Sequence, residues 1–148
     1  MNKQALYDAC LAYAQQRIDT ASEAMRAAQE AANSESKSSA GDKYETGRAM
    51  AQLERDRHAQ LLAEAQRLKQ DLEHLDRSTS TEVARAGSVV TTSRGTFFLS
   101  ISAGQLSVAG QTYMAVSVAS PIGALLKGKR TGDTITFNRM VYTIERID

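Results

Sequence analysis

ALYDACLAYAQQRIDTASEAMRAAQEAA, residues 5–32, is the stretch that decides the fold. Within it Tyr7, Leu11, Ala14, Ile18, Ala21, Met25, Ala28 and Ala32 recur at alternating steps of four and three. That spacing keeps one stripe of a helix turned toward a partner helix, as in a coiled-coil seam. Alanine dominates the distal half of the stripe, and small seam residues let the partner backbone come close. The partner lies in the same chain. Leu61, Ala65, Leu68, Leu72 and Leu75 repeat the spacing. Extended backwards, the rule falls on His58 and Glu54, with Met50 and Leu53 to either side, a local drift of the seam. Neither stretch contains proline, and Gly47 is the one glycine in them. Between them the polar, serine-rich run from Asn33 to Gly41 reads as a loop. The spacing therefore predicts an antiparallel hairpin of two helices, each roughly 45–50 Å long at 1.5 Å per residue.

The period changes after Arg77. Ser78-Thr79-Ser80-Thr81 reads as a linker between an N-terminal finger, 1–77, and a C-terminal domain, 78–148. Short β-prone runs follow at Ser88–Thr92, Thr96–Ile101, Gln111–Val118, Asp133–Phe137 and Val141–Ile147. Gly95, Ala103-Gly104, Ala109-Gly110, Gly128 and Gly132 stand between them as turn residues. Pro121–Leu126 suits one short helix, with Ser120 as N-cap and Pro121 at its first position. The expected class is α+β: a helical hairpin followed by an antiparallel sheet packed on one helix.

Composition narrows the function. The chain has 148 residues and a net charge of +1, too little for a strong nucleic-acid or membrane footprint. Its single cysteine, Cys10, allows no internal disulfide and fits a reducing, cytoplasmic setting; it reads as a small packed residue. No apolar run approaches the roughly 20 residues that span a bilayer, and Met1-Asn2-Lys3-Gln4 opens no signal peptide. His58 and His74 stand 16 apart with no second cysteine, which is not a zinc spacing. The two helices can satisfy each other's stripes, so the expectation is a monomer.

Two motifs carry a resemblance. Gly41-Asp42-x-x-Glu45 stands at the bend of the hairpin, and Ser120-Pro121-Ile122, Gly128-Lys129 and Gly132-Asp133 follow in the sheet segment. In order, spacing and length the chain resembles the Gre transcript-cleavage factors of bacterial RNA polymerase. The resemblance implies a finger that enters the polymerase secondary channel and a C-terminal domain of FKBP-like fold that docks at the channel entrance through Ser120, Pro121 and Ile122. It also implies that Asp42 and Glu45 help hold a second Mg²⁺ at the polymerase active site and orient a water, so that backtracked nascent RNA is hydrolysed. On this view the protein is no enzyme by itself, and Mg²⁺ is shared with the polymerase. The chemistry agrees: Mg²⁺ takes one or two carboxylates together with phosphate and water oxygens. The chain departs from the family in following Glu45 with Thr46-Gly47-Arg48-Ala49 instead of Asn and a further acid, and in placing Ala119 before Ser120.

Other readings of the same residues stand beside these. Asp42 at an N-cap with Glu45 three residues on is also a capping box, which would simply start the second helix. Lys127, Lys129 and Arg130 are a solvated cluster or a contact for an acidic polymerase surface. A non-catalytic, polymerase-binding inhibitor or a coiled-coil interaction module is the alternative to cleavage stimulation. A prolyl isomerase would need an aromatic-lined pocket, and a chain with no Trp and three Phe supplies few rings for one.

Overall fold

The computed structural model describes residues 3–36, 41–78 and 82–148; for residues 35, 36 and 41–45 it describes the backbone alone. Two long helices come first, α1 (Lys3–Ser36) and α2 (Gly41–Glu73), packed as a hairpin. A six-stranded sheet follows, formed by β1 (Val89–Thr92), β2 (Gly95–Leu99), β3 (Gly104–Val108), β4 (Gln111–Val116), β5 (Thr134–Phe137) and β6 (Met140–Ile147), with the short helix α3 (Pro121–Leu126) between β4 and β5. The fold is α+β, as the change of period implies. Among the described residues no helix is long and apolar enough to cross a membrane.

The chain divides into two compact units, Ala14–Lys69 and a second made of Met1–Tyr13 with Gln70–Asp148. The first holds the distal parts of both helices. Its seam is built from small residues: Ala14, Ala21, Ala32 and Ala65 are buried, and Ile18, Met25 and Ala28 are half-buried between them. Every position of the expected α1 stripe is buried or half-buried. On α2 four of the five expected seam positions, Ala65, Leu68, Leu72 and Leu75, are buried or half-buried, and Leu61 alone of the five is exposed. Toward the turn the sheltered positions include Ala51, Arg55, His58 and Leu62, which continue through Ala65, Lys69 and Leu72 in steps of four and three, while Leu61 is 45% exposed. Long polar side chains occupy several of these positions, their stems covering the alanine-rich stripe and their ends reaching outward. Lys69 Nζ, for one, donates to Gln15 Oε1 at 3.1 Å. The run 33–41 is shorter as a loop than expected, because α1 continues to Ser36 and α2 already starts at Gly41. Nothing in 33–36 stops a helix: there is no Pro and no Gly. Lys37, Ser38, Ser39 and Ala40 of that loop, and Thr79, Ser80 and Thr81 of the expected linker, lie outside the described residues.

In the other unit the strands run in the order β3-β4-β2-β1-β6-β5. Four of the five pairings are antiparallel; β2 and β4 are parallel, so the sheet is mixed where an antiparallel one was expected. The cause is β3, which the sequence reading missed. It returns the chain so that β4 enters beside β2 in the same direction. Gly104-Gln105-Leu106-Ser107-Val108 holds one β-branched residue between two glycine-containing turns, and it is an edge strand of alternating exposure. A two-residue turn was legible there: Val108 pairs with Gln111, and Ala109 (φ 52°) and Gly110 (φ 78°) take the left-handed conformations that such hairpins need.

One face of the sheet meets α3. Val90, Phe97, Leu99, Leu126, Ile135, Ile144 and Ile147 form that core with Ala84, and Ile122 and Tyr142 pack on it. The Phe97 and Tyr142 rings meet edge to face, centroids 6.1 Å apart. Alternation sends Val89, Phe98 and Ser100 to the other face, and Val89 and Phe98 are buried too. Cys10 Sγ lies 3.6 Å from Ser100 Oγ, which brings the base of α1 to that face; Leu6 and Leu72 of the same unit are buried as well. The connection after α2 is tied down as well. Ser78 donates from its backbone N and its Oγ to Asp76 Oδ1 (2.9 and 2.6 Å), and Arg85 reaches Asp76 Oδ2 at 3.5 Å. These partners hold the Asp76 carboxyl below its ordinary pKa, the Ser78 hydrogen bonds foremost. Gly87 (φ 98°) completes the junction, since a Cβ there would stand 2.0 Å from the Asp76 carbonyl oxygen.

Candidate functional site: the helix turn and the capped helix

The hairpin unit contributes the residues around the turn. Gly41 and Asp42 fall in the first turn of α2, and Glu45 begins the second. Asp42 is thus inside the helix and not at the N-cap expected of it; the capping-box reading concerns side chains that lie outside the described residues. Positions three apart in a helix are neighbours on its surface. Two carboxylates at such positions offer at most four oxygens, short of the six that Mg²⁺ takes in its octahedral shell. They fit Mg²⁺ only as a part of a site whose other ligands come from elsewhere. Among the described residues no group of three or more His, Cys, Asp or Glu is disposed to hold a metal. Immediately beyond, Thr46 and Arg48 are exposed and Gly47 is half-buried. His58 sits at the seam edge with Nε2 3.4 Å from Glu54 Oε2, and His74 Nδ1 lies 2.7 Å from the Gln70 carbonyl oxygen.

The sheet unit contributes Ser120, Pro121 and Ile122, and here the local geometry is fully described. Ser120 caps α3: its Oγ accepts from Gly123 N (3.1 Å) and donates to the Ser117 carbonyl (2.6 Å). Pro121 occupies the first position of the helix, where its missing N–H costs nothing. Ser117 Oγ accepts from Ala119 N at 3.1 Å, which closes the turn in front of the cap. Gly123 is required by close approach. An added Cβ would stand 1.9 Å from the Ser117 carbonyl oxygen. Ile122 is half-buried on the core, so of the three candidate docking residues only Pro121 is fully presented to solvent. Ala119, Ala124 and Leu125 are exposed beside it, Leu125 by 38%. These neighbours were not singled out by the sequence; the helical spacing 121, 124, 125 around a half-buried Ile122 is the signal that finds them.

After α3 the basic residues follow. Lys127 and Arg130 are exposed and Lys129 is half-buried. Asp133, the one acid of the segment, accepts from Arg130 N at 2.8 Å and so closes the turn. The Lys129 carbonyl accepts from Ala84 N, and Gly128 N donates to the Ala84 carbonyl, which fixes this loop to the start of the sheet unit. Cys10 is fully buried, and burial pushes its thiol pKa up, which disfavours the reactive thiolate.

No family model, no curated protein and no solved structure matches this chain.

Proposed function

We propose that this protein is a Gre-like factor that acts on bacterial RNA polymerase from the secondary channel. The observation that carries the reading is that Gly41-Asp42-x-x-Glu45 opens α2, where the chain turns back between two helices of 34 and 33 residues. Helices of that length, about 50 Å, suit reaching into a partner more than enclosing a pocket. The second support is the Ser120-Pro121-Ile122 turn with the exposed apolar residues and cations that follow it. In this reading Asp42 and Glu45 complete a metal site in the polymerase, and the sheet unit docks outside the channel. Mg²⁺ bound there would raise the nucleophilicity of a water and stabilise displacement at the RNA phosphate. The chain's own residues position and coordinate; the catalytic centre belongs to the polymerase, and the protein alone is not an enzyme.

Purified protein added to backtracked elongation complexes tests this. RNA shortening from the 3′ end is expected with wild type and its loss with Asp42→Asn plus Glu45→Gln, while polymerase still co-sediments with both. Recovery of no polymerase would sink the proposal. Binding without cleavage, equal for wild type and the double variant, would favour the alternative of a non-catalytic inhibitor or scaffold.

A further inference from the structure

The distal part of α2 carries a second stripe that the hairpin does not use. Met50 is 63% exposed, Leu53 70% and Leu61 45%. By contrast, α1 of the same unit turns charge to solvent, where Glu23, Arg26 and Glu30 pair with one another and Gln15 donates to Asp19. Met50, Glu54, Arg57 and Leu61 follow steps of four, three and four, the spacing of a coiled-coil seam. Both charged members are well exposed, 56% for the Glu54 side chain and 66% for Arg57, and they are 3.8 Å apart on their own helix.

This stripe is self-complementary. When two copies of α2 lie antiparallel about a two-fold axis between positions 55 and 56, Met50 faces Leu61 of the second copy and Glu54 faces its Arg57. The same contacts then repeat in reverse, as an isologous interface demands. Leu53 flanks the central charged layer on each side. The pattern pairs apolar with apolar in the Met50–Leu61 layers and acid with base in the Glu54–Arg57 layers, and a shift by one heptad removes both matches. We propose that the exposed face of α2 around Met50–Leu61 is a weak, reversible self-association surface whose occupant is a second copy of this chain. Three large apolar side chains per copy fall short of the roughly 800 Å² per partner of a stable interface. The chain is therefore monomeric at micromolar concentration and pairs only as concentration rises. This inference is independent of the polymerase reading.

Sedimentation velocity from about 10 μM to about 1 mM tests it. The wild-type mass is expected to climb from 16.1 kDa toward twice that value. Leu61→Ser is expected to weaken association at least about tenfold. Glu54→Arg and Arg57→Glu are each expected to stay monomeric, because like charges then meet at the centre. An equimolar mixture of those two variants is expected to associate again, since each supplies the charge that the other lacks. All the changed side chains are exposed, and far-UV circular dichroism verifies that the helices persist. A wild-type chain that stays monomeric to about 1 mM overturns the proposal. So does a wild-type dimer that both charge variants leave intact, or a mixture that fails to pair.

Discussion

Gly123→Ala tests whether the turn before α3 is built as tightly as its geometry implies. In an unstrained helix this exchange stabilises by about 1 kcal/mol. Here the new Cβ would lie 1.9 Å from the Ser117 carbonyl oxygen, 2.8 Å from its carbon and 2.8 Å from Ser120 Oγ. Two of those atoms are backbone, so the neighbour cannot swing away as a flexible side chain would. The Ser117 oxygen must retreat by about 1.5 Å to reach ordinary van der Waals separation. That oxygen accepts from Ser120 N at 3.0 Å and from Ser120 Oγ at 2.6 Å, so its retreat loosens the cap. Overpacking costs about 1–3 kcal/mol and loss of a cap about 0.5–2 kcal/mol. Against the propensity gain, the net expectation is a loss of about 2 kcal/mol. With a urea dependence of about 1–3 kcal/mol per molar, the unfolding midpoint of the sheet should fall by roughly 1 M. Ser120→Ala, which removes only the cap, should fall by about half as much. A Gly123→Ala midpoint at or above wild type would refute the reasoning.

Gly87→Ala should cost about 3 kcal/mol in the same urea titration, because it joins a positive φ of 98° to a Cβ 2.0 Å from the Asp76 carbonyl oxygen. Arg139→Gly should stabilise by about 0.5–1 kcal/mol: Asn138 (φ 51°) and Arg139 (φ 65°) form the two-residue turn between β5 and β6, and Arg pays there for a conformation that Gly adopts freely. Cys10, fully buried and with its thiol pKa raised by burial, should react with a maleimide more than about a hundredfold slower in the native protein than in urea; equal rates would show that the base of α1 opens freely. Calorimetry of the isolated protein with Mg²⁺ should detect no tight stoichiometric site, since two carboxylates are too few ligands for that ion.

The sequence is most legible where one period dictates one structure. The α1 stripe has eight members in phase, and all eight are sheltered. On α2 the apolar letters hold at Ala65, Leu68, Leu72 and Leu75 and mislead at Leu61. Leu61 and Leu62 are adjacent and both stand in four/three register with Ala65 and Leu72, so spacing alone does not choose between them; Leu62 is half-buried and Leu61 is exposed. Tertiary fit outranks hydrophobicity there, and the displaced apolar residues form the exposed stripe. The parallel β2–β4 pair had no local signal of its own. It follows from β3, whose residues carry little strand preference and are held by pairing with β4 alone. The loop bounds moved because Asn33, Ser34, Glu35 and Ser36 are indifferent helix formers that extend a helix already nucleated.

The candidate docking residues show a different limit. Ser120-Pro121-Ile122-Gly123 is a stretch that local folding explains nearly letter by letter: a cap, a first-turn proline, a core contact and a close approach. Its presence therefore speaks first for the helix and only second for a partner. The solvent face of this stretch is Pro121, Ala124 and Leu125, continued by Lys127 and Arg130. The turn of the hairpin has the opposite balance. A helix starts well with many residue pairs, so folding alone does not demand two acids at 42 and 45. In the proposed reading the function rests on Asp42 and Glu45, and an isosteric, charge-removing change at those two positions separates that chemistry from capping more sharply than any change at the Ser-Pro-Ile turn.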